Sequence, residues 1–281
     1  MARQATRSNR PGPEGVRATT PEGPDPDPTR LWLLPEHAVA RFAVEVGGLR
    51  LLTAEERARH ARLPTAGARR RYLGARLLSR HALSADTGLP PGDWRFRRGV
   101  DGRPEPEPAA GGLRFNLSHT AGLIACVVTR NRACGVDVER TPAAPEAVGA
   151  LGRRLAAAER AELAALGPAE RRGRLSELWV LKEAYLKALG TGLTRDLAGF
   201  SFAPSGAAGC TSSDHGPGDR TTIRPAGRIT VDDPEQAPGE CDRWCFDLLH
   251  PGPDHVLAVA AVDGRPGALH CTDLSDLPAG L

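Results

Sequence analysis

"FNLSHTAGLIACVV", residues 115 to 128, reads as two segments of strand length, the first alternating and the second almost wholly apolar. A second stretch, "FDLLHPGPDHVLAVAAV" at 246 to 262, repeats its order: Phe, an amide or acid, Leu, any residue, His, then a strand rich in Val and Ala. Each follows a long predicted helix that carries basic residues and a tyrosine. The pattern points to an α+β protein of two similar halves, although a match this short leaves chance similarity open.

Working outward, "LWLL" (31 to 34) reads as a first strand stopped by Pro35. "TAEERARHARL" opens with Thr53 and places Glu56 three residues on, the signature of a capping box at a helix start. A helix is expected over 68 to 83, with Tyr72, Leu73, Leu77 and Leu78 inward. "GDWRFRRGVDGRPEPEP" reads as a strand, an Asp101-Gly102 turn and an extended run. After the strand "GVDVER", helices are expected from Pro145, across "AAAERAELAAL", and from Pro168 through "AERRGRLSELWVLKEAYLKALG". Gly190 and Gly192 are placed to end the last of these in left-handed backbone. "FSF" (200 to 202) starts another strand, and "RWCFDLLH" and "HVLAVAAV" form a closing pair. Residues 204 to 241, rich in Gly, Pro, Ser and Asp, read as a long surface loop. The expected boundaries are a Pro-rich tail over 1–29, an N-terminal half over 30–143, a C-terminal half over 144–264 and a weakly patterned tail over 265–281.

At 281 residues, 40% apolar and 25% charged, the chain has the makings of a globular core. No apolar run is long enough for a membrane helix and no secretory signal opens the sequence, so a cytoplasmic location is expected. Residues 1 to 29 hold six prolines and few large apolar residues, too little to order themselves. Six scattered cysteines read as packed residues or free thiols. Cys241 and Cys245 with His250 and His255 have loose spacing in a Gly/Pro-rich region, a poor zinc pattern. A net charge of +3 argues for no nucleic-acid partner, although Arg69, Arg70, Arg71, Arg76 and Arg80 crowd one helix. That crowding fits a solvated face as well as an anion site.

Three clusters carry chemistry. In "GVDVER", Asp137 and Glu139 share one strand face while Val136 and Val138 face a core. Two carboxylates so close need a cation, a base or water beside them. In "ELWVLKEAYLK", Trp179, Glu183 and Lys187 fall along one helical stripe; alone this is an ordinary surface ion pair. In "NLSHT", Ser118, His119 and Thr120 offer donors suited to phosphate; alone this is a polar turn. Together they describe an oxygen-rich Mg²⁺ site with cations for phosphate, and so metal-assisted chemistry on a diphosphate.

The ordered set "FNLSHT", "GVDVER" and "WVLKEAYLKALGTGL", with "LWLL", "TAEERAR" and "GRP" (102 to 104) upstream, resembles the 4′-phosphopantetheinyl transferases of the surfactin-synthetase type. The resemblance covers roughly residues 30 to 264. It implies a pseudo-dimer of two α+β halves with the active site in the cleft between them, and a monomer. It further implies transfer of phosphopantetheine from coenzyme A to a serine of an apo acyl or peptidyl carrier protein, with release of 3′,5′-adenosine bisphosphate. By the same resemblance Asp137, Glu139 and Glu183 are the Mg²⁺ ligands and Lys187 contacts phosphate. Glu183, or a water it holds, deprotonates the serine. Ser118 and His119 hold coenzyme A phosphates, His119 near the 3′-phosphate; Arg103 is a phosphate contact, and Arg71 and Tyr72 lie near adenine and phosphate. Arg57 and Arg59 stand where upstream basic residues are expected. The competing readings are a catalytically silent coenzyme A or nucleotide binder, an Mg²⁺-dependent phosphodiesterase and, last, an arginine-rich nucleic-acid module.

Overall fold

The computed structural model describes residues 27–99, 104–204, 228–264 and 269–275. The N-terminal half contains β1 (Thr29–Pro35), α1 (Val39–Val46), α2 (Ala54–Arg62), α3 (Ala66–Thr87), β2 (Arg95–Arg98), β3 (Pro104–Glu107), β4 (Leu113–Thr120), β5 (Leu123–Arg130) and β6 (Cys134–Arg140). There follow α4 (Pro145–Gly152), α5 (Ala157–Ala165), α6 (Pro168–Leu189), β7 (Ser201–Pro204), β8 (Ile229–Asp232), β9 (Trp244–Leu249), β10 (His255–Val262) and β11 (Leu269–Asp273).

Two sheets form the centre, one ordered β11-β1-β5-β4 and the other β6-β10-β9. The hairpins β4-β5 and β9-β10 are both antiparallel, so each of the two similar sequence stretches folds as a hairpin. Between the sheets, Leu31 and Leu33 of β1 and Ala125 and Val127 of β5 pack with Val136 and Val138 of β6 and with Leu257 and Val259 of β10. The other face of the first sheet is covered by α1 and α3, through Phe42, Leu77, Leu78 and Leu83 against Leu34, Ile124 and Val128. The outer face of the second sheet is covered by α6, whose Leu178, Leu181, Ala184 and Tyr185 meet Val256, Ala258 and Ala260. Each such large aliphatic side chain, fully buried, contributes on the order of 1.5–3 kcal/mol. The order of layers is helix, sheet, sheet, helix, an α+β arrangement.

Several expectations change. The helix expected over 68 to 83 runs from Ala66 to Thr87, with Tyr72, Leu77 and Leu78 buried and Leu73 only partly so. Helix α1 adds an element beyond those expected, with Val39 and Phe42 one turn apart and both buried. Residues 229–232, inside the expected loop, form β8 against β7 because Ile229 and Val231 turn inward to the α6 core. The rest of that loop from 205 to 227 lies outside the described residues, as do 1–26 and the Asp101-Gly102 turn. Leu269–Asp273, expected to be tail, pairs in parallel with β1 as β11, with Leu269 and Cys271 packing on the inter-sheet core. Among the described residues no helix is long and apolar enough to cross a membrane.

Candidate active site

Strand β6 supplies the first two carboxylates, and its alternation is as expected. Cys134, Val136 and Val138 enter the inter-sheet core. Gly135, Asp137 and Glu139 fall on the opposite face, toward α6. Gly135 makes that approach possible. A Cβ there would stand 2.0 Å from the Ala184 carbonyl oxygen and 2.6 Å from the Ala188 amide nitrogen, both backbone atoms of α6. Glycine therefore lets the helix lie on the strand, and Lys187 Nζ reaches Asp137 Oδ1 at 2.6 Å. Just past Lys187, at the C-terminal end of α6, Gly190 takes φ 80°, the left-handed turn that closes the helix.

The side of β4 that faces β6 carries Asn116, Ser118 and Thr120, residues two apart. Asn116 Oδ1 accepts from the Val136 amide at 3.1 Å, and Ser118 Oγ accepts from the Val138 amide at 3.3 Å. Thr120 Oγ1 donates to Glu139 Oε2 at 3.4 Å. Side chains thus bridge the neighbouring edges of the two sheets. Ser118 also donates to Asp137 Oδ1 at 2.8 Å and accepts from Lys187 Nζ at 3.2 Å. A hydroxyl has one proton and two lone pairs, so these bonds fill it. Ser118, expected on a phosphate, also orients Asp137 and Lys187. Lys187 uses its three protons on Asp137 Oδ1, Ser118 Oγ and the Val136 carbonyl at 3.1 Å, which fits a charged clamp and not a base.

Asp137 is 5% exposed, and its second oxygen, Oδ2, is buried without a hydrogen-bond partner. Glu183 Oε1 is in the same condition. Burial first, and then the charge of Asp137, push the Glu183 carboxyl above its ordinary range, while Lys187 and Arg154 work against them. Glu139 is raised by the same two causes, with Thr120 and Lys187 opposing. Buried acceptors left unpaired are costly, and a water, a proton or a cation would satisfy them. Among the described residues no group of three or more His, Cys, Asp or Glu side chains stands close enough together to hold a metal ion by itself. Asp137 and Glu183, each with a buried unpaired oxygen, fit Mg²⁺ only as one or two of its ligands, the remaining positions going to water and substrate oxygens.

His119 leaves β4 on the other face and is exposed. Partial desolvation, then the charges of Arg71, Lys187 and Arg76, hold its imidazole below the usual value. Arg71 pairs with Glu36 at 3.0 Å. Tyr72 lies under two guanidinium groups, Arg59 at 5.6 Å and Arg76 at 5.2 Å from the ring centroid. These three residues line an open cavity of about 800 Å³ with Arg95, Phe96 and Pro104. Arg103 lies outside the described residues. Arg57 turns elsewhere, onto the Leu52 carbonyl. The cysteines and histidines weighed for zinc diverge: Cys241 meets the Asp233 carbonyl, Cys245 that of Gly264, His250 meets Glu177 and His255 the Ala121 carbonyl. Asn116 and Gly135 were missed as site residues. The two-residue period around Ser118 and Asp137 was the available signal.

Residues 133–260 match the family model of the 4′-phosphopantetheinyl transferase superfamily. Over 172 residues the chain is 30% identical to the 4′-phosphopantetheinyl transferase HetI of Nostoc sp., an alignment covering 60% of this chain and 71% of that one. A 4′-phosphopantetheinyl transferase of Bacillus subtilis is 30% identical over 125 residues, 44% of this chain and 54% of its own. A phosphopantetheinyl transferase of Thraustochytrium sp. is 31% identical over 180 residues, 59% of this chain and 60% of its own.

Proposed function

The chain belongs to the 4′-phosphopantetheinyl transferase superfamily, and we propose that it transfers the 4′-phosphopantetheine group of coenzyme A to a serine of an apo carrier protein. The other product is 3′,5′-adenosine bisphosphate. The observation that carries this reading is the Lys187–Asp137 pair at 2.6 Å, with Asp137 Oδ2 and Glu183 Oε1 lacking partners and the charges of Asp137 and Glu139 both bearing on Glu183. We further infer the surfactin-synthetase type, with two pseudo-equivalent halves, a cleft between them and a monomeric, cytoplasmic enzyme. The carrier belongs to polyketide, nonribosomal peptide or fatty acid synthesis.

In this reading Asp137, Glu139 and Glu183 hold Mg²⁺, which supplies neutralisation of the charge on the departing bisphosphate. Lys187 places a fixed positive charge beside the diphosphate. The Glu183 carboxyl, raised by burial and by Asp137, is the nearer match to a group that accepts the serine proton, directly or through a water it holds. Ser118 keeps Asp137 and Lys187 in register. His119, Arg71 and the cavity beside Tyr72 take the nucleotide end of coenzyme A, with Arg103 as a further phosphate contact.

The test is intact mass spectrometry of an apo carrier protein incubated with the chain, coenzyme A and Mg²⁺. A gain of one phosphopantetheine, abolished by EDTA or by Glu183→Ala, is the expected result. Hydrolysis of coenzyme A without modification of any carrier would mark a phosphodiesterase, and binding without either would mark a silent relative.

A further inference from the structure

Glu36, just beyond β1, is 8% exposed and takes no part in the transfer scheme above. Its carboxylate gathers three segments of chain. Oε1 accepts from Arg70 Nε at 3.1 Å and Nη2 at 2.8 Å. Oε2 accepts from Arg71 Nη1 at 3.0 Å and from the Gly122 amide at 3.0 Å. The backbone closes the same junction, with the Glu36 amide donating to the Gly122 carbonyl at 2.8 Å. Burial alone would raise this carboxyl, but the Gly122 amide, Arg71 and Arg70 outweigh it and hold it below its ordinary value.

The three segments are the end of β1, the first turns of α3 and the turn between β4 and β5. That turn follows directly on Ser118, His119 and Thr120. Arg71, held by Glu36, is also the first cation whose charge bears on the His119 ring. Without an anion at the junction, Arg70 and Arg71 would repel each other and Arg71 would lose its fixed direction. Gly67 leaves the space open: a Cβ there would stand 3.2 Å from Arg71 Nη1 and 3.5 Å from Glu36 Oε1.

We propose that Glu36 is a positioning residue, fixing Arg71 so that its guanidinium presents a preformed cationic contact to a phosphate of coenzyme A. This rests on the coenzyme A reading above. Fixing a side chain before the ligand arrives removes an ordering cost from binding, so the effect belongs in affinity and not in the chemical step.

The experiment is calorimetric titration of coenzyme A into the full chain as wild type, Glu36→Gln, Glu36→Ala, Arg71→Ala and the Glu36→Ala/Arg71→Ala double variant, alongside carrier-transfer kinetics and melting curves. Glu36→Ala should weaken coenzyme A binding about tenfold and raise its KM by a like factor, with kcat within about twofold. The same substitution should add almost nothing once Arg71 is gone. If Glu36→Ala does not fold, Glu36→Gln carries the test, with a smaller loss that also disappears without Arg71. A full loss persisting in the Arg71→Ala background, or a fall in kcat at unchanged KM, would overturn the proposal. A wild-type chain that binds coenzyme A but modifies no carrier would defeat the transfer reading while the calorimetric test of Glu36 still stands. Failure of the wild type to bind coenzyme A defeats both.

Discussion

Asp137 divides its two oxygens: Oδ1 receives Ser118 and Lys187, while Oδ2 is buried without a partner. Lys187→Met should therefore leave a buried carboxylate uncompensated and cost about 1–3 kcal/mol in denaturant unfolding, moderated because the lysine is partly solvated. Adding Asp137→Asn removes the stranded charge, and the double variant should regain most of that loss. Asp137→Ala should reduce carrier modification to background at saturating Mg²⁺, read by intact mass; sustained turnover would remove Asp137 from the site. The pairing of Asp137 with Glu139 was legible because a strand repeats every two residues. The occupation of Ser118 was not, since its partners lie 19 and 69 positions away and no local pattern names them.

At the scale of elements, α6 and β6 are held together at Gly135. Gly135→Ala sets a methyl against the Ala184 carbonyl and Ala188 amide, which cannot yield without moving the helix. We expect a loss of at least about 1–3 kcal/mol in thermal or urea unfolding. We also expect transfer activity to fall further than stability, because Glu183 and Lys187 travel with the helix. A stable, fully active Gly135→Ala chain would refute this account of the seam. Helix α2 shows what local sequence does reveal. Thr53 accepts from the Glu56 amide at 3.1 Å while Glu56 accepts from the Thr53 amide at 2.9 Å, as the capping box predicts. The same Glu56 also pairs with buried Arg80 at 2.8 Å, which no window of a few residues contains. Strands β8 and β11 escaped notice because four or five residues carry too little alternation. Their partners β7 and β1 are fixed only by the tertiary fold.

Across the whole molecule, the second hairpin places Asp247 opposite Val259, on the side of β9 that faces the inter-sheet core. Burial pushes its carboxyl up to about 6 from an ordinary 3.8. A raised carboxyl favours the fold fully below the unfolded value and loses that contribution as pH rises through about 6. Asp247→Asn should therefore stabilise the chain by about 3 kcal/mol at pH 7.5 and by little at pH 4, compared in urea unfolding. An equal effect at both pH values would show that charge is not the cause. Asn116, its counterpart in the similar stretch, accepts an amide from β6 and so fastens the two sheets. That fastening has an evolutionary corollary. A backbone ladder cannot be altered by exchanging one amino acid for another of the same shape, but a join made by Asn116 and Ser118 can. Single codon changes there would act on the spacing of the two sheets while leaving the internal pairing of each untouched, and at Ser118 the same change would reach Asp137 and Lys187.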